Sequence, residues 1–238
     1  MRPGVRRMFG ISWLISHLFV IALLVTTVNL GFWQLRRLDE RKSVNAQIME
    51  RSTKNPIILN ASGKELNYLD KKYRPAITNG QFQSAQEVYL INRSKDGIPG
   101  VQVITAFKLE EEANFFLVVN RGYLPLSVFR NENPEKWAAT SKSIELDGVL
   151  MTPASNGLLS KNEINKIDLN LLSEEWERDL LPVVFQQTKN SFSEWPEPLL
   201  IADLGEGSHL GYALQWFIFT LIGLFGYPLV IRRIVAQD

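Results

Sequence analysis

The chain of 238 residues contains two histidines, His17 and His209, and no cysteine. Without a thiol there is no disulfide framework, thiolate metal site, iron–sulfur cluster or cysteine nucleophile. The stretch between Gln34 and Ser208 holds no histidine either. A Ser–His–Asp triad, a Cys–His pair and a His-ligated zinc site cannot be built within it. Gly205-Glu206-Gly207 lacks the lysine and the preceding strand that a phosphate loop needs. Carboxylate chemistry stays formally open, since two acids suffice for glycoside hydrolysis. Glu110-Glu111-Glu112 and Glu174-Glu175 are the adjacent acids, although such runs are ordinary in solvated turns and helix faces. A stretch so poor in catalytic groups is expected to bind a partner or cofactor and not to be an enzyme.

His209 opens the segment Ser208-His-Leu-Gly-Tyr-Ala-Leu-Gln-Trp216. In a helix starting there, His209, Tyr212, Ala213 and Trp216 share a face. Two readings fit. An imidazole above Tyr212 and Trp216 can coordinate haem iron, with the aromatic rings against the porphyrin. Alternatively the three form an interfacial belt, because His, Tyr and Trp all place polar tips among lipid headgroups. A bis-histidine site with His17 is excluded on reach. His17 lies 16 residues before Trp33, about 24 Å deeper at ~1.5 Å per residue. A single axial histidine suits transient holding of a haem.

Two uncharged runs position these residues. Ile11 to Trp33 carries no Asp, Glu, Lys or Arg, and neither does Leu210 to Ile231. Each can cross a hydrocarbon core of roughly 30 Å. The first run exceeds a signal-peptide core in length and no A-x-A site follows it, so an uncleaved anchor is expected. The organisation predicted is one transmembrane helix over 11–33, a domain over 34–209 and a second transmembrane helix over 210–231. Two spans put both termini on one side of the bilayer. No Lys or Arg occurs from Asn190 to His209, whereas Arg232 and Arg233 close the second run. The positive-inside rule then predicts cytoplasmic termini and an extracytoplasmic domain. The domain holds 21 basic and 24 acidic residues, which does not look like a nucleic-acid binder.

The fold class expected is a membrane protein of α+β type, with a mostly antiparallel β domain and short helices. Leu35 to Met49 is expected to prolong the first helix. Strand candidates are Arg74–Phe82, Glu87–Asn92, Val101–Phe107, Phe115–Asn120, Ile144–Met151 and Val183–Gln187, with turn signals at Asp96-Gly97 and Pro99-Gly100. Such runs predict a sheet, sandwich or small barrel. Asn133-Pro134 is a candidate helix start. Leu172, Trp176 and Leu180 predict a helix over 170–181 that Pro182 stops.

These pieces together resemble the surfeit locus protein 1 family, assembly factors of haem-copper cytochrome c oxidase. Leu30-Gly31-Phe32-Trp33-Gln34-Leu35-Arg36-Arg37 is similar to the family's G-x-W-Q-x-x-R. Tyr73-Arg74-Pro75 through Gly80-Gln-Phe82, then Glu87-Val-Tyr-Leu and Gly100–Phe107, match its next blocks. Val118-Val-Asn120-Arg121-Gly122-Tyr-Leu-Pro125 is close to V-N-R-G-x-x-P, and Ser208–Phe217 to N-H-x-x-Y-x-x-Q-W-F. Ala106 stands where the family has proline, and Ser208 where it has asparagine or an acid. The resemblance implies a multi-pass cell (inner) membrane protein that handles haem a for oxidase subunit I, with haem a synthase as a further partner. It implies His209 as the iron ligand, with Tyr212 and Trp216 beside it. Gly31, Trp33, Gln34, Arg37, Asn120, Arg121 and Gly122 are family markers. A scaffold that stabilises an oxidase intermediate without haem is the alternative. By residue type, Trp33 suits a membrane belt and Arg37 lipid phosphates. Arg121 is expected to pair with an acid inside the domain, and Gly122 to relieve a backbone turn.

Overall fold

A computed structural model describes residues 10–59, 68–110, 115–189, 193–199, 201 and 204–237. The elements in chain order are α1 (Ile11–Ser52), β1 (Ile57–Ile58), a 3-10 turn (Tyr68–Lys71), β2 (Pro75–Lys95), β3 (Ile98–Leu109) and β4 (Phe115–Pro125). There follow α2 (Leu126–Asn131), a second 3-10 turn (Pro134–Trp137), β5 (Ile144–Met151), β6 (Leu159–Ser160), β7 (Glu163–Ile164), α3 (Leu169–Trp176), β8 (Asp179–Gln187) and α4 (His209–Gln237). They divide into two compact units. One comprises α1 as far as Ala46 with the chain from Leu204 onward; the other is the chain between.

The first unit is a helix pair. Both helices are long and apolar enough to cross a membrane. Polar contacts run along the pair in antiparallel order. His17 Nδ1 lies 2.6 Å from the Tyr227 hydroxyl, and the Thr27 and Thr220 hydroxyls meet at 2.8 Å. Gly31 faces the Phe217 ring so closely that a Cβ there would lie 2.6 Å from it. A small residue at the crossing and hydrogen bonds between helices are what hold helices together where lipid is as apolar as leucine. Helix α1 continues unbroken past Trp33 to Ser52, as the stretch from Leu35 to Met49 predicts.

The second unit is built on a closed ring of strands. β2 pairs with β3, β3 with β4, β4 with β8, β8 with β5, and β5 returns to β2. Only β4–β8 in this ring is parallel. The order, with its long shared first strand and a helix between the third and fourth, is the Greek-key connectivity of an OB-type barrel. The sheet is therefore mixed, with parallel pairs also at β1–β2 and β2–β7. A sandwich is ruled out. Alternate residues of all five strands fill the interior: Ala76 and Phe82, Phe107 and Leu109, Leu117 and Val119, Leu146 and Leu150, then Leu181, Val183 and Phe185. The other face of β3 and β4 is covered too. Ile104, Ala106, Phe116 and Val118 pack with Leu172 and Trp176 of α3 and Ile164 of β7. β4 is thus buried on both sides, which accounts for its uninterrupted apolar run.

Four sequence expectations need correction. Arg74–Phe82 and Glu87–Asn92 are one strand, β2. Gln83 pairs with Ala106 and Glu87 with Thr105, so the residues between them bulge out of the ladder. Pro99-Gly100 lies inside β3, because Asp96 and Gly97, both at positive φ, make the hairpin turn alone. The helix predicted over 170–181 stops at Trp176. Glu177 takes the left-handed conformation, the Ser173 hydroxyl donates to the Arg178 carbonyl, and the chain turns into β8. Leu180 and Leu181 are strand residues, and Pro182 sits where the β4–β8 register slips. Asn133 does cap Pro134–Trp137, accepting from the Glu135 amide, but the element is a single 3-10 turn.

Asp168 ties α3 to the loop before it. Its carboxylate accepts the amides of Asn170 and Gly157 at 3.1 and 3.0 Å. These backbone bonds hold its pKa below the ordinary value against the opposing effect of burial. A depressed carboxylate stabilises the fold above its unfolded pKa and ceases to do so as pH falls through the folded one. Asp168→Ala is expected to cost about 0.5–2 kcal/mol near neutral pH. Chemical denaturation of wild type and variant should show the gap closing on strong acidification.

Candidate functional site

His209 is the first residue of α4. Its half-buried ring places Nδ1 2.9 Å from Oε1 of Gln34 on α1. Among the described residues Nε2 has no hydrogen-bond partner. Gly207, at φ +71°, lies next to it, and a Cβ on Gly207 would come within 3.5 Å of Nε2. One imidazole nitrogen is therefore engaged and the other open, which leaves one ring nitrogen able to act as a donor. Among the described residues no group of three or more His, Asp or Glu side chains could hold a bare metal ion.

The helix starts at His209, so the four residues predicted on one face keep their i, i+3, i+4, i+7 spacing, but they are buried to different extents. Ala213 is fully buried, whereas Tyr212 is half exposed. Trp216 is half-buried and meets Phe219 edge-on at 5.9 Å. Tyr212 thus lies on the exposed side of this face and Ala213 on its buried side, with His209 and Trp216 half-buried between them. Of the first-span markers, Gly31 makes the close crossing with Phe217, and Gln34 meets His209. Trp33 is exposed, with the Arg37 guanidinium 5.7 Å from its ring centre. Arg37 also pairs with Glu40 at 2.9 Å. His17 has its own partner in Tyr227 and takes no part near His209.

Asn120, Arg121 and Gly122 lie on β4 in the other unit. Arg121 points into the barrel. It pairs with Glu87 at 3.0 Å, donates to the Trp137 carbonyl at 2.7 Å, and lies over the Phe82 ring. Glu87 also accepts from the Thr105 and Tyr89 hydroxyls at 2.8 and 3.0 Å. The acid partner expected for Arg121 is present. Burial pushes the guanidinium below its ordinary pKa, and Glu87 draws it back. Asn120 donates to Gln102 and accepts from the Gly122 amide. Gly122, at φ +135°, sits at a strand irregularity and not in a turn. There the Glu197 carbonyl approaches, and Tyr123 and Glu197 exchange backbone hydrogen bonds at 2.8 Å. Glu87 escaped notice in the sequence. Its signal was a lone acid in the apolar strand Glu87-Val-Tyr-Leu-Ile, on the side shared with Tyr89 and Ile91.

Tyr89, beside this cluster, has its pKa pushed up to about 12 by burial first and by the Glu87 charge second. A pKa raised above the unfolded value of about 10 removes stability as pH climbs through that window. Absorbance titration at 295 nm should show a late-ionising component that shrinks by one tyrosine in Tyr89→Phe.

Glu174 and Glu175 are exposed on α3 and face no third acid. Glu111 and Glu112, beside Glu110, lie outside the described residues.

A family model, the SURF1 family, matches residues 21–221. The chain belongs to the SURF1 family. The match takes in part of each helix of the pair, including Gln34 and His209, and the whole barrel. Among curated relatives, the SURF1-like protein of Rickettsia bellii (strain RML369-C) is 31% identical over 238 residues, covering 94% of this chain and 91% of that one. The SURF1-like protein of Rickettsia felis is 28% identical over 233 residues, covering 93% and 99%. Surfeit locus protein 1 of Gallus gallus is 28% identical over 171 residues, covering 65% of this chain and 53% of its own length. In this chain Gln34 of the Trp33-Gln34 pair contacts His209, and Asn120-Arg121-Gly122 builds a polar centre in the barrel.

Proposed function

We propose that the protein is a membrane-bound assembly factor for haem-copper cytochrome c oxidase that receives haem a at His209 and assists its insertion into subunit I. Haem a synthase is the partner that would supply this cargo. Family membership supports the oxidase role. The single observation that carries the haem reading is the state of the His209 ring, with Nδ1 engaged by Gln34 and Nε2 open beside Gly207. Haem a, when present, supplies an iron that accepts one lone pair. The protein holds that lone pair at Nε2 and offers the Tyr212–Trp216 flank to the porphyrin. A single protein ligand would suit cargo that is passed on and not permanent burial. The charge pattern around the second span supports cytoplasmic termini and an extracytoplasmic domain, with His209 near that surface of the membrane.

The test is the visible spectrum of the detergent-purified full chain from cells that make haem a, wild type against His209→Ala. A haem a band that His209→Ala loses is the expected result. Deleting the gene should in parallel lower haem a absorption in membranes. Unchanged oxidase spectra in the deletion strain would sink the assembly role. A purified protein without haem, whose His209→Ala variant still restores oxidase, would replace the reading with that of a scaffold.

A further inference from the structure

We infer that Gln34 is a positioning residue that fixes the proton of His209 on Nδ1 and so keeps the Nε2 lone pair available to iron, with Gly207 keeping the approach to Nε2 clear. The inference rests on the haem reading of His209 given above. A neutral imidazole carries one N–H. An amide oxygen 2.9 Å from Nδ1 is a hydrogen-bond acceptor, so the ring nitrogen facing it must donate. The proton is then on Nδ1, and Nε2 is the acceptor atom, the one that binds metals. If the Gln34 amide turned over, its NH2 would face Nδ1 and the proton would move to Nε2, closing the site.

Gly207 is an independent observation at the same atom. Its φ of +71° favours glycine, and the missing Cβ would stand 3.4 Å from Cδ2 and 3.5 Å from Nε2. Any side chain there would grow across the face of the nitrogen left open by Gln34. Gln34 itself is set by the helix pair. The Gly31–Phe217 crossing lies one turn before it on α1, and the Thr27–Thr220 contact two turns before. An amide in this place does less than a carboxylate would. Carboxylate partners raise the basicity of a ligating histidine, whereas a neutral oxygen orients the ring and adds little donor strength. That difference suits a ligand that must release what it binds.

The bland alternative is an interhelical hydrogen bond that only steadies the pair. The proton's position separates the two. Full-length protein with 15N-labelled histidine, purified in detergent without haem, should show His209 protonated at Nδ1, its signals assigned by their loss in His209→Ala. Gln34→Leu should shift the proton toward Nε2, and Gln34→Glu should restore Nδ1–H. Titration with haemin, followed in the Soret band, should then show binding weakened about 10–100-fold in Gln34→Leu. Gln34→Glu should bind at least as tightly as wild type, and Gly207→Val more weakly. Protonation at Nε2 in the wild type, or the same tautomer in wild type and Gln34→Leu, overturns the inference whatever haemin does. Haemin binding lost in His209→Ala but unchanged in Gln34→Leu overturns it while the haem reading stands. Haemin binding equal in wild type and His209→Ala overturns the haem reading itself.

Discussion

Arg121→Met is expected to destabilise the barrel by roughly 3–5 kcal/mol, the usual consequence of removing one partner from a buried ion pair. The Arg121 side chain is 6% exposed and that of Glu87 14%. With the guanidinium gone, Glu87 keeps, among the described residues, the Thr105 and Tyr89 hydroxyls, and a carboxylate remains in an interior lined by Phe82 and Trp137. The Trp137 carbonyl loses its donor at the same time. The cost is therefore mostly the exposed debt of Glu87. Glu87→Gln combined with Arg121→Met should recover a large part of it, since a neutral amide can share hydrogen bonds with Thr105 and Tyr89. Thermal unfolding of the detergent-solubilised chain, followed by circular dichroism, gives both values. A single-variant loss under about 1 kcal/mol would show that the pair is solvated and the reading of this cluster wrong.

Gly122→Val should be nearly as severe, by about 2–5 kcal/mol, for two separate reasons. At φ +135° a β-branched residue is strained on its own. Its Cβ would also lie 2.2 Å from the Glu197 carbonyl oxygen, so the 195–198 segment must move. That movement breaks the paired hydrogen bonds of Tyr123 and Glu197 and the ion pair of Glu197 with Lys95. Gly122→Ala should cost less than valine but still exceed a typical surface change. Limited proteolysis near Trp195 distinguishes the two causes. A displaced segment is cut faster, whereas backbone strain alone lowers stability without opening that site.

Much of this architecture was legible from residue order. Charge-free runs marked both helices, and β-branched and aromatic runs between turn signals found most strands. Asn133 and Asp96-Gly97 gave their cap and turn because those signals are local. Closure of the barrel was hidden, since the β4–β8 pair joins segments about sixty residues apart and no local pattern encodes a partner. The end of α3 was misplaced for a related reason. Leu172, Trp176 and Leu180 keep helical spacing, but Leu180 reaches the same apolar cluster from a strand. At the candidate site the sequence offered His209 and its aromatic neighbours. It could not show that Tyr212 and Ala213 turn different ways, because spacing groups them whichever side a second helix occupies. The contact of Gln34 with His209 spans 175 positions. Only the pairing of the helices brings it about.

The place of β8 also dictates the order in which the chain can fold. It is the last strand made, yet it lies between β4 and β5 and completes the ring. Until Gln187 has been synthesised, the flanks of β4 and β5 that β8 will occupy lack their partner. Closure awaits a long-range parallel pairing, which is a slow event. The first residue of α4 follows only 22 positions later. At ~5–20 residues per second, the second apolar helix emerges within seconds of β8. Emergence of that helix and sealing of the barrel therefore fall close together in time, and a nascent chain stalled before Gln187 leaves the flanks of β4 and β5 unpaired.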